Sequence, residues 1–175
     1  MQQAAYMNPA ASADFSVLLE EHRRLILKVA NTYGRGRADV EDLAQEIAAQ
    51  SWRAYPTYDP ARSFSTWLYR IALNVAISWL RAEAPRRRRS VPFEPELHDA
   101  AVHTIDEADD GSRILRGFIE SQGPLDRALL LLYLEERSNN EIADILGITS
   151  TNVTTKINRL KERLRAFAEK NHGTR

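Results

Sequence analysis

Apolar residues recur every three or four positions through nearly all of a 175-residue chain, and nowhere do they alternate as a half-buried strand requires. A chain patterned this way can bury its apolar side only by packing helix on helix. Seven helical stretches are predicted, over about 15–33, 39–55, 65–83, 113–121, 125–136, 139–146 and 150–168. In the first, Phe15, Leu18, Leu25, Ile26 and Val29 point inward, with Asp14 as N-cap. Gly34-Arg35-Gly36 breaks the chain before the second, whose stripe is Val40, Leu43, Ile47 and Trp52 and which Pro56 and Pro60 end. The third starts at Ser65 as cap and sets Phe64, Leu68, Ile71, Val75 and Trp79 along one face. Trp67, Arg70, Asn74, Ser78 and Arg81 fall on another. The fold class is all-α.

The segment 84–112 breaks the pattern. It holds Pro85, Pro92 and Pro95, the run Arg86 to Arg89 and a string of carboxylates, with little periodicity. It reads as a flexible linker between two small helical domains, 1–83 and 113–175. Hydrophobic residues at 43% are enough for a packed core. The absence of cysteine excludes disulfides, a thiolate nucleophile and cysteine-bound zinc or iron–sulfur centres, and suits a reducing, cytoplasmic setting. The longest apolar run, Ala128 to Leu134, is far shorter than the roughly 20 residues of a membrane span. The opening residues MQQAAYMNPAASADF lack the basic and apolar regions of a signal peptide. No membrane insertion is expected.

Formal charge is zero, from 24 basic and 24 acidic residues, but it is unevenly laid out. Residues 113–175 carry eleven basic and eight acidic residues, and 150–165 holds Lys156, Arg159, Lys161, Arg163 and Arg165 against Glu162 alone. A local positive stretch lets a neutral protein hold phosphates. It lies in the most informative segment, SNNEIADILGITSTNVTTKINRLKERLR. There a short helix with Ile142, Ala143, Ile145 and Leu146 inward meets Gly147, suited to a left-handed corner. Ile148 plugs the corner, Thr149 or Ser150 caps the next helix, and Val153, Ile157, Leu160 and Leu164 form its buried stripe. The opposite side presents Thr151, Thr155, Asn158 and Arg159, flanked by Thr154 and Lys156. Small hydroxyl and amide groups can approach base edges, Arg reaches guanine acceptors and Lys binds phosphate. This is what a helix-turn-helix recognition helix requires.

Trp52, Trp67 and Trp79 all fall between 52 and 79, with Tyr55, Tyr58, Phe64 and Tyr69. Trp52, Phe64 and Trp79 suit a core. Trp67 and Tyr69 leave two readings, packed core, as is usual for aromatics, or ring faces for unpaired bases beside Arg62, Arg70 and Arg81. Asp39, Glu41, Asp42 and Glu46 crowd the start of the second helix. The helix dipole accounts for the first three, but its influence fades before Glu46. Asp42, Gln45 and Glu46 read as an acidic docking face for a basic partner helix. Arg86 to Arg89 read either as a solvated run or as cations for DNA phosphates.

Taken together, DVEDLAQEIAAQSWRAYPTYDPARSFSTWLYRIALNVAISWLR resembles the second conserved region of bacterial sigma factors, and LDRALLLLYLEERSNNEIADILGITSTNVTTKINRLKERL resembles their fourth. The lack of an intervening third region points to the extracytoplasmic-function (group IV) class. The resemblance covers about 15–83 and 113–166. It implies a protein that is not an enzyme, needs no cofactor and directs core RNA polymerase to promoters. On that resemblance Asp39, Asp42, Gln45 and Glu46 dock on the β′ clamp helices. Trp67, Tyr69, Arg70 and Asn74 melt and read the −10 element. Thr151, Thr154, Thr155, Lys156, Asn158 and Arg159 read the −35 element, and the same domain grips the β flap. Members are often held closed by an anti-sigma factor. The chain departs from the pattern where Thr151-Asn152 and Thr154 replace a Gly-Thr pair and a basic residue, and where Ser78 replaces an acidic one.

Two other classes compete. A stand-alone helix-turn-helix regulator would bind operator DNA unaided, but would need a dimerising or ligand-sensing domain that 1–83 does not suggest. A metal-dependent hydrolase would draw on His98, Asp99 and His103, which lie in the linker without helical placement.

Overall fold

In a computed structural model of the chain, residues 9–89 and 110–172 are described. These form eight α-helices and one turn of 3-10 helix: α1 (Pro9–Glu21), α2 (Arg23–Tyr33), α3 (Arg37–Ala54), the 3-10 turn (Tyr55–Thr57), α4 (Phe64–Arg89), α5 (Asp110–Ser121), α6 (Pro124–Leu134), α7 (Asn139–Leu146) and α8 (Ser150–His172). Among the described residues there is no strand.

α2, α3 and α4 pack on one another and bury Val29, Ala30, Leu43, Ile47, Leu68, Ala72, Leu73 and Ala76. α5 to α8 surround Phe118, Leu129, Leu132, Ile142, Val153, Ile157 and Leu160. The helical class thus follows from the apolar periodicity, with four differences in detail. The stretch 15–33 is two helices, not one. His22 leaves the helix at φ −104° and ψ 13°, its Nδ1–H donates to the Leu18 carbonyl at 2.8 Å, and its ring meets the edge of Phe64. A side chain that competes for a backbone acceptor gives the chain a local alternative to helix. Asp14 is accordingly an exposed residue inside α1 and not its cap. Ser65 lies inside α4; Ser63 precedes the helix and accepts the Trp67 N–H on its carbonyl. Trp52, expected in the core, is 37% exposed and packs T-shaped against Phe15.

The ends of the expected linker are helical. α4 continues through Pro85 to Arg89, and α5 begins at Asp110. Proline removes a single N–H, while the alanines and arginines around it favour helix. Residues 90–109 lie outside the described residues. Between α2 and α3, Gly34 is required by space, since a Cβ there would sit 2.9 Å from a Val40 methyl.

The two halves meet at a buried polar joint. Tyr33, fully buried at the end of α2, donates its hydroxyl to the Pro124 carbonyl at 2.7 Å. Arg127, only 6% exposed, donates to the carbonyls of Gln122 (3.0 Å), Thr32 (3.4 Å) and Glu120. Outside this joint, Lys28 pairs with Glu135 at 2.5 Å. Arg137 stands 5.3 Å from the Tyr69 ring centroid and donates to the Ser65 hydroxyl at 3.5 Å. Glu135 and Arg137 flank Glu136, which holds φ at 56°, an uncommon value for a residue with a Cβ. Replacing Tyr33 by Phe leaves the Pro124 carbonyl without its donor. The expected loss is about 1–2 kcal/mol of unfolding free energy, read from urea denaturation against the unsubstituted chain.

Candidate nucleic-acid interface

α7 and α8 are joined by a tightly specified corner. Ser138 opens α7 with a capping box, its hydroxyl accepting the Glu141 N–H while the Glu141 carboxylate accepts the Ser138 N–H at 2.9 Å. Those bonds, first from the Ser138 backbone and hydroxyl and then from Arg137, hold the Glu141 carboxyl below its ordinary value. At the other end Gly147 takes φ 67° and gives its N–H to the Ala143 carbonyl, as does Ile148 at 3.1 Å. Thr149 is the residue that caps α8, accepting the Asn152 N–H on its hydroxyl at 3.2 Å. Val153, Ile157 and Leu160 are buried, and Leu164 packs against the same core.

This leaves Thr151, Thr154, Thr155, Asn158 and Arg159 together on the exposed face of α8. Lys156 is not brought into that set. It is half-buried on the flank facing α6, with Nζ 4.0 Å from Asp126, which also holds Arg163 at 3.3 Å. The set gains two residues that the sequence did not single out. Asn139 and Asn140, on the first turn of α7, line a recess of about 360 Å³ with Ser150, Thr151, Thr154 and Thr155. The Asn139 amide donates to the Thr154 hydroxyl at 3.0 Å. The consecutive amides ahead of Glu141 were the available signal, since the first turn of a helix capped by Ser138 is fixed beside the corner.

On α4, Trp67, Arg70 and Asn74 follow the helix repeat on one face. Arg70 and Asn74 are exposed. Trp67 is half-buried in a cluster of rings, 5.2 Å from Tyr58 and Phe64 and 6.3 Å from Tyr55. The turn before α4 is braced by Tyr58 donating to the Arg62 carbonyl at 2.8 Å and by the Ala61 N–H on Asp59 at 3.0 Å. It presents the exposed Arg62 beside these rings.

Tyr69 does not belong to this face. Two positions from Trp67 means roughly 200° around the helix, so its ring joins the stripe of Ala72 and Ala76 and is 1% exposed. Its hydroxyl lies 3.4 Å from Glu135, under the α6–α7 turn. Burial, with Glu135 adding and Arg137 opposing, pushes the phenol up to about 12. The periodicity with Ser65 and Ala72 carried that information, but an aromatic next to Arg70 resembles a surface residue.

α3 presents Asp42, Gln45 and Glu46 on an exposed face. Glu46 accepts the Gln50 amide at 2.7 Å and sits 3.9 Å from Arg53. Asp39 is half-buried at the edge of this face, accepting the Arg35 N–H at 3.1 Å, so it closes the turn before α3. Among the described residues no group of His, Asp or Glu is arranged to hold a metal ion, and His98, Asp99 and His103 lie outside them. No described helix is long and apolar enough to cross a membrane.

Comparison with known proteins converges on the two halves. The Sigma-70 region 2 family model matches residues 18–86, and that of Sigma-70, region 4 matches 124–164. The ECF RNA polymerase sigma factor SigE of Mycolicibacterium smegmatis is 27% identical over 165 residues, covering 92% of this chain and 64% of its own. SigG of Mycobacterium tuberculosis is 27% identical and is covered over 48% of its length. This chain therefore spans between about half and two-thirds of those relatives. CnrH of Cupriavidus metallidurans is 28% identical, with 95% of this chain and 91% of its own covered. Two solved structures share the fold: CnrH in complex with the cytosolic domain of CnrY, and RpoE in complex with the anti-sigma factor NepR from Bartonella quintana. The first has a TM-score of 0.66 at 23% identity, covering 95% of this chain and 93% of that one. The second has a TM-score of 0.72 at 18% identity, covering 89% and 97%.

The corner supplies a test of its own. A Cβ at Gly147 would meet nothing within 4 Å, so Gly147→Ala has only the backbone conformation to oppose it. The expected loss is about 1–2 kcal/mol in urea denaturation, with Gly147→Asn losing less because asparagine tolerates the left-handed region.

Proposed function

From the premise that the chain belongs to the extracytoplasmic-function RNA polymerase sigma factors, we propose that it binds core RNA polymerase and directs promoter-specific initiation, in a cytoplasmic, non-catalytic role. What carries this reading is the coexistence, on one chain, of an exposed acidic face on α3 and an exposed helix-turn-helix face on α8. Residues 1–83 act as the docking and −10 domain, 84–112 as the tether and 113–175 as the −35 domain. Asp42, Gln45 and Glu46 meet the basic β′ clamp helices, with Asp39 shaping the edge of that face. The C-terminal half also grips the β flap.

At the −10 element each opened step costs about 1.4 kcal/mol of stacking. An aromatic platform returns about 1–3 kcal/mol per captured base. Trp67, with Arg70 and Asn74 alongside, is the surface suited to that exchange. At the −35 element the exposed face of α8 lies in the major groove, Arg159 reaching guanine acceptors and Asn158 adenine. Elements at −35 and −10 are separated by 25 positions of duplex, at 3.4 Å each. Halves joined through Tyr33 and Pro124 cannot reach both, so the polar joint opens when polymerase is bound. CnrH and RpoE have been solved bound to CnrY and to an anti-sigma factor. By likeness to them, a protein inhibitor that binds the closed arrangement is the expected form of control.

Run-off transcription with purified core polymerase tests the reading. Transcripts that start without any other sigma factor support it, and a chain that binds DNA but starts none would make it a stand-alone regulator. Arg159→Ala should weaken −35 duplex binding by holoenzyme about tenfold or more while leaving polymerase affinity unchanged, because a good guanine contact contributes roughly 1–3 kcal/mol. Glu46→Lys should lower polymerase affinity in a fluorescence titration without shifting the urea midpoint, since Glu46 is exposed.

A further inference from the structure

The middle of the α8 face is chemically one-sided. Thr154 donates its hydroxyl to the Ser150 carbonyl at 3.0 Å, and Thr155 donates to the Thr151 carbonyl at 3.0 Å. A hydroxyl has one proton to give, so both are already spent on the backbone of the preceding turn. The Thr154 oxygen also accepts the Asn139 amide. With its proton committed, it can meet that amide only as acceptor, which fixes the amide's orientation and takes up a lone pair. Both residues are exposed. Each therefore brings to a ligand a methyl group and an oxygen that accepts but does not donate. Donors on this face lie around the pair, on Asn158 and Arg159 further along the helix and on Thr151, Asn139 and Asn140 beside it.

Base edges in the major groove differ in the features such a patch can satisfy. A G·C pair and a T·A pair each present two acceptors and one amino donor there, and only the T·A pair adds a methyl group, on thymine, for such a patch to meet.

We propose that Thr154 and Thr155 are specificity-determining residues that select T·A pairs in the −35 element through their methyl groups, and not by donating hydroxyl hydrogen bonds to bases. This rests on the reading that α8 lies in the major groove. It divides the face into a methyl-reading middle held in place by Asn139 and a guanine-reading end at Arg159.

The test uses the full chain reconstituted with core RNA polymerase and a promoter duplex library randomised over eight −35 positions. The duplex most enriched by binding is resynthesised with deoxyuridine at each thymine in turn, which removes only the methyl. Loss of one methyl contact should weaken binding about fourfold at one or two thymines. Thr155→Val, which keeps a methyl in place and disturbs no bond to Asn139, should still bind thymine duplexes more tightly than their uracil counterparts. Thr154→Ser and Thr155→Ser, which keep only the hydroxyl, should erase the difference between thymine and uracil. Equal binding of thymine and uracil duplexes by the unsubstituted chain, or by Thr155→Val, overturns the proposal. Arg159→Ala separates this from the underlying reading. If it and every threonine variant bind the selected duplex unchanged, α8 is not the reading helix and the methyl assignment falls with it; if Arg159→Ala alone loses binding, α8 still reads DNA and only the methyl assignment falls.

Discussion

A guanidinium with almost no access to water sits where helix ends from both halves of this molecule meet. Arg127 carries a positive charge at 6% exposure, and a buried cation is tolerated only where its N–H groups find acceptors. The carbonyls it uses belong to Glu120 and Gln122 at the end of α5 and to Thr32 at the end of α2. The last carbonyls of a helix lack intrahelical partners and carry the negative end of its dipole. One side chain thereby satisfies helix ends from both halves of the chain. Tyr33 completes the arrangement by donating to Pro124 at the start of α6, and Arg127 moderates the rise in phenol pKa that burial causes. The polar groups of this joint fix its geometry within an apolar core that runs on from one half of the chain into the other.

The joint covers the functional surfaces unequally. The α6–α7 turn, with Glu136 at φ 56°, brings Glu135 and Arg137 over Tyr69 and Ser65. The acidic face of α3, the polar face of α8 and Arg70 with Asn74 stay exposed in the same arrangement. This arrangement therefore leaves the faces proposed for docking and for DNA reading accessible while tying α4 to the C-terminal half. Opening would exchange these polar contacts for hydration and would also part the apolar core that α2 and α4 share with the C-terminal helices.

What the sequence made legible was set by short-range rules. The corner at Gly147, the Thr149 cap and the stripe of Val153, Ile157 and Leu160 depend on residues within a turn or two of one another, and the helix-turn-helix could be drawn from them. Trp67, Arg70 and Asn74 share a face for the same reason. The misplaced residues depend on partners far along the chain or on a local competition that periodicity does not register. Tyr69 is buried because Glu135 and Arg137, more than sixty positions away, close over it. Lys156 turns aside because Asp126 waits on α6. At His22 the helix ends where its ring and its own N–H share the Leu18 carbonyl. Trp52 lies five positions after Ile47, about 140° further around α3, and Ser51 takes the inward place one turn on, so the ring is left 37% exposed.

The same long-range pairing changes what the basic stretch of α8 can contribute. Counting charges over 150–165 suggests a strong electrostatic grip, but three of the five cations are engaged within the protein. Lys156 and Arg163 share Asp126, and Lys161 stands over the Tyr133 ring at 4.5 Å from its centroid. Arg159 remains on the exposed reading face. Phosphate neutralisation sets most of the affinity and salt sensitivity of DNA binding but carries no sequence information. If α8 reads DNA as proposed, cations committed elsewhere leave it little non-specific affinity to overcome, and base contacts by Arg159, Asn158 and the threonines would decide a larger share of where it binds. On the proposed function the missing affinity comes from the polymerase, which presents the helix to DNA as part of a much larger contact. That division lets a neutral chain of this size discriminate among promoters without being held along the rest of the genome.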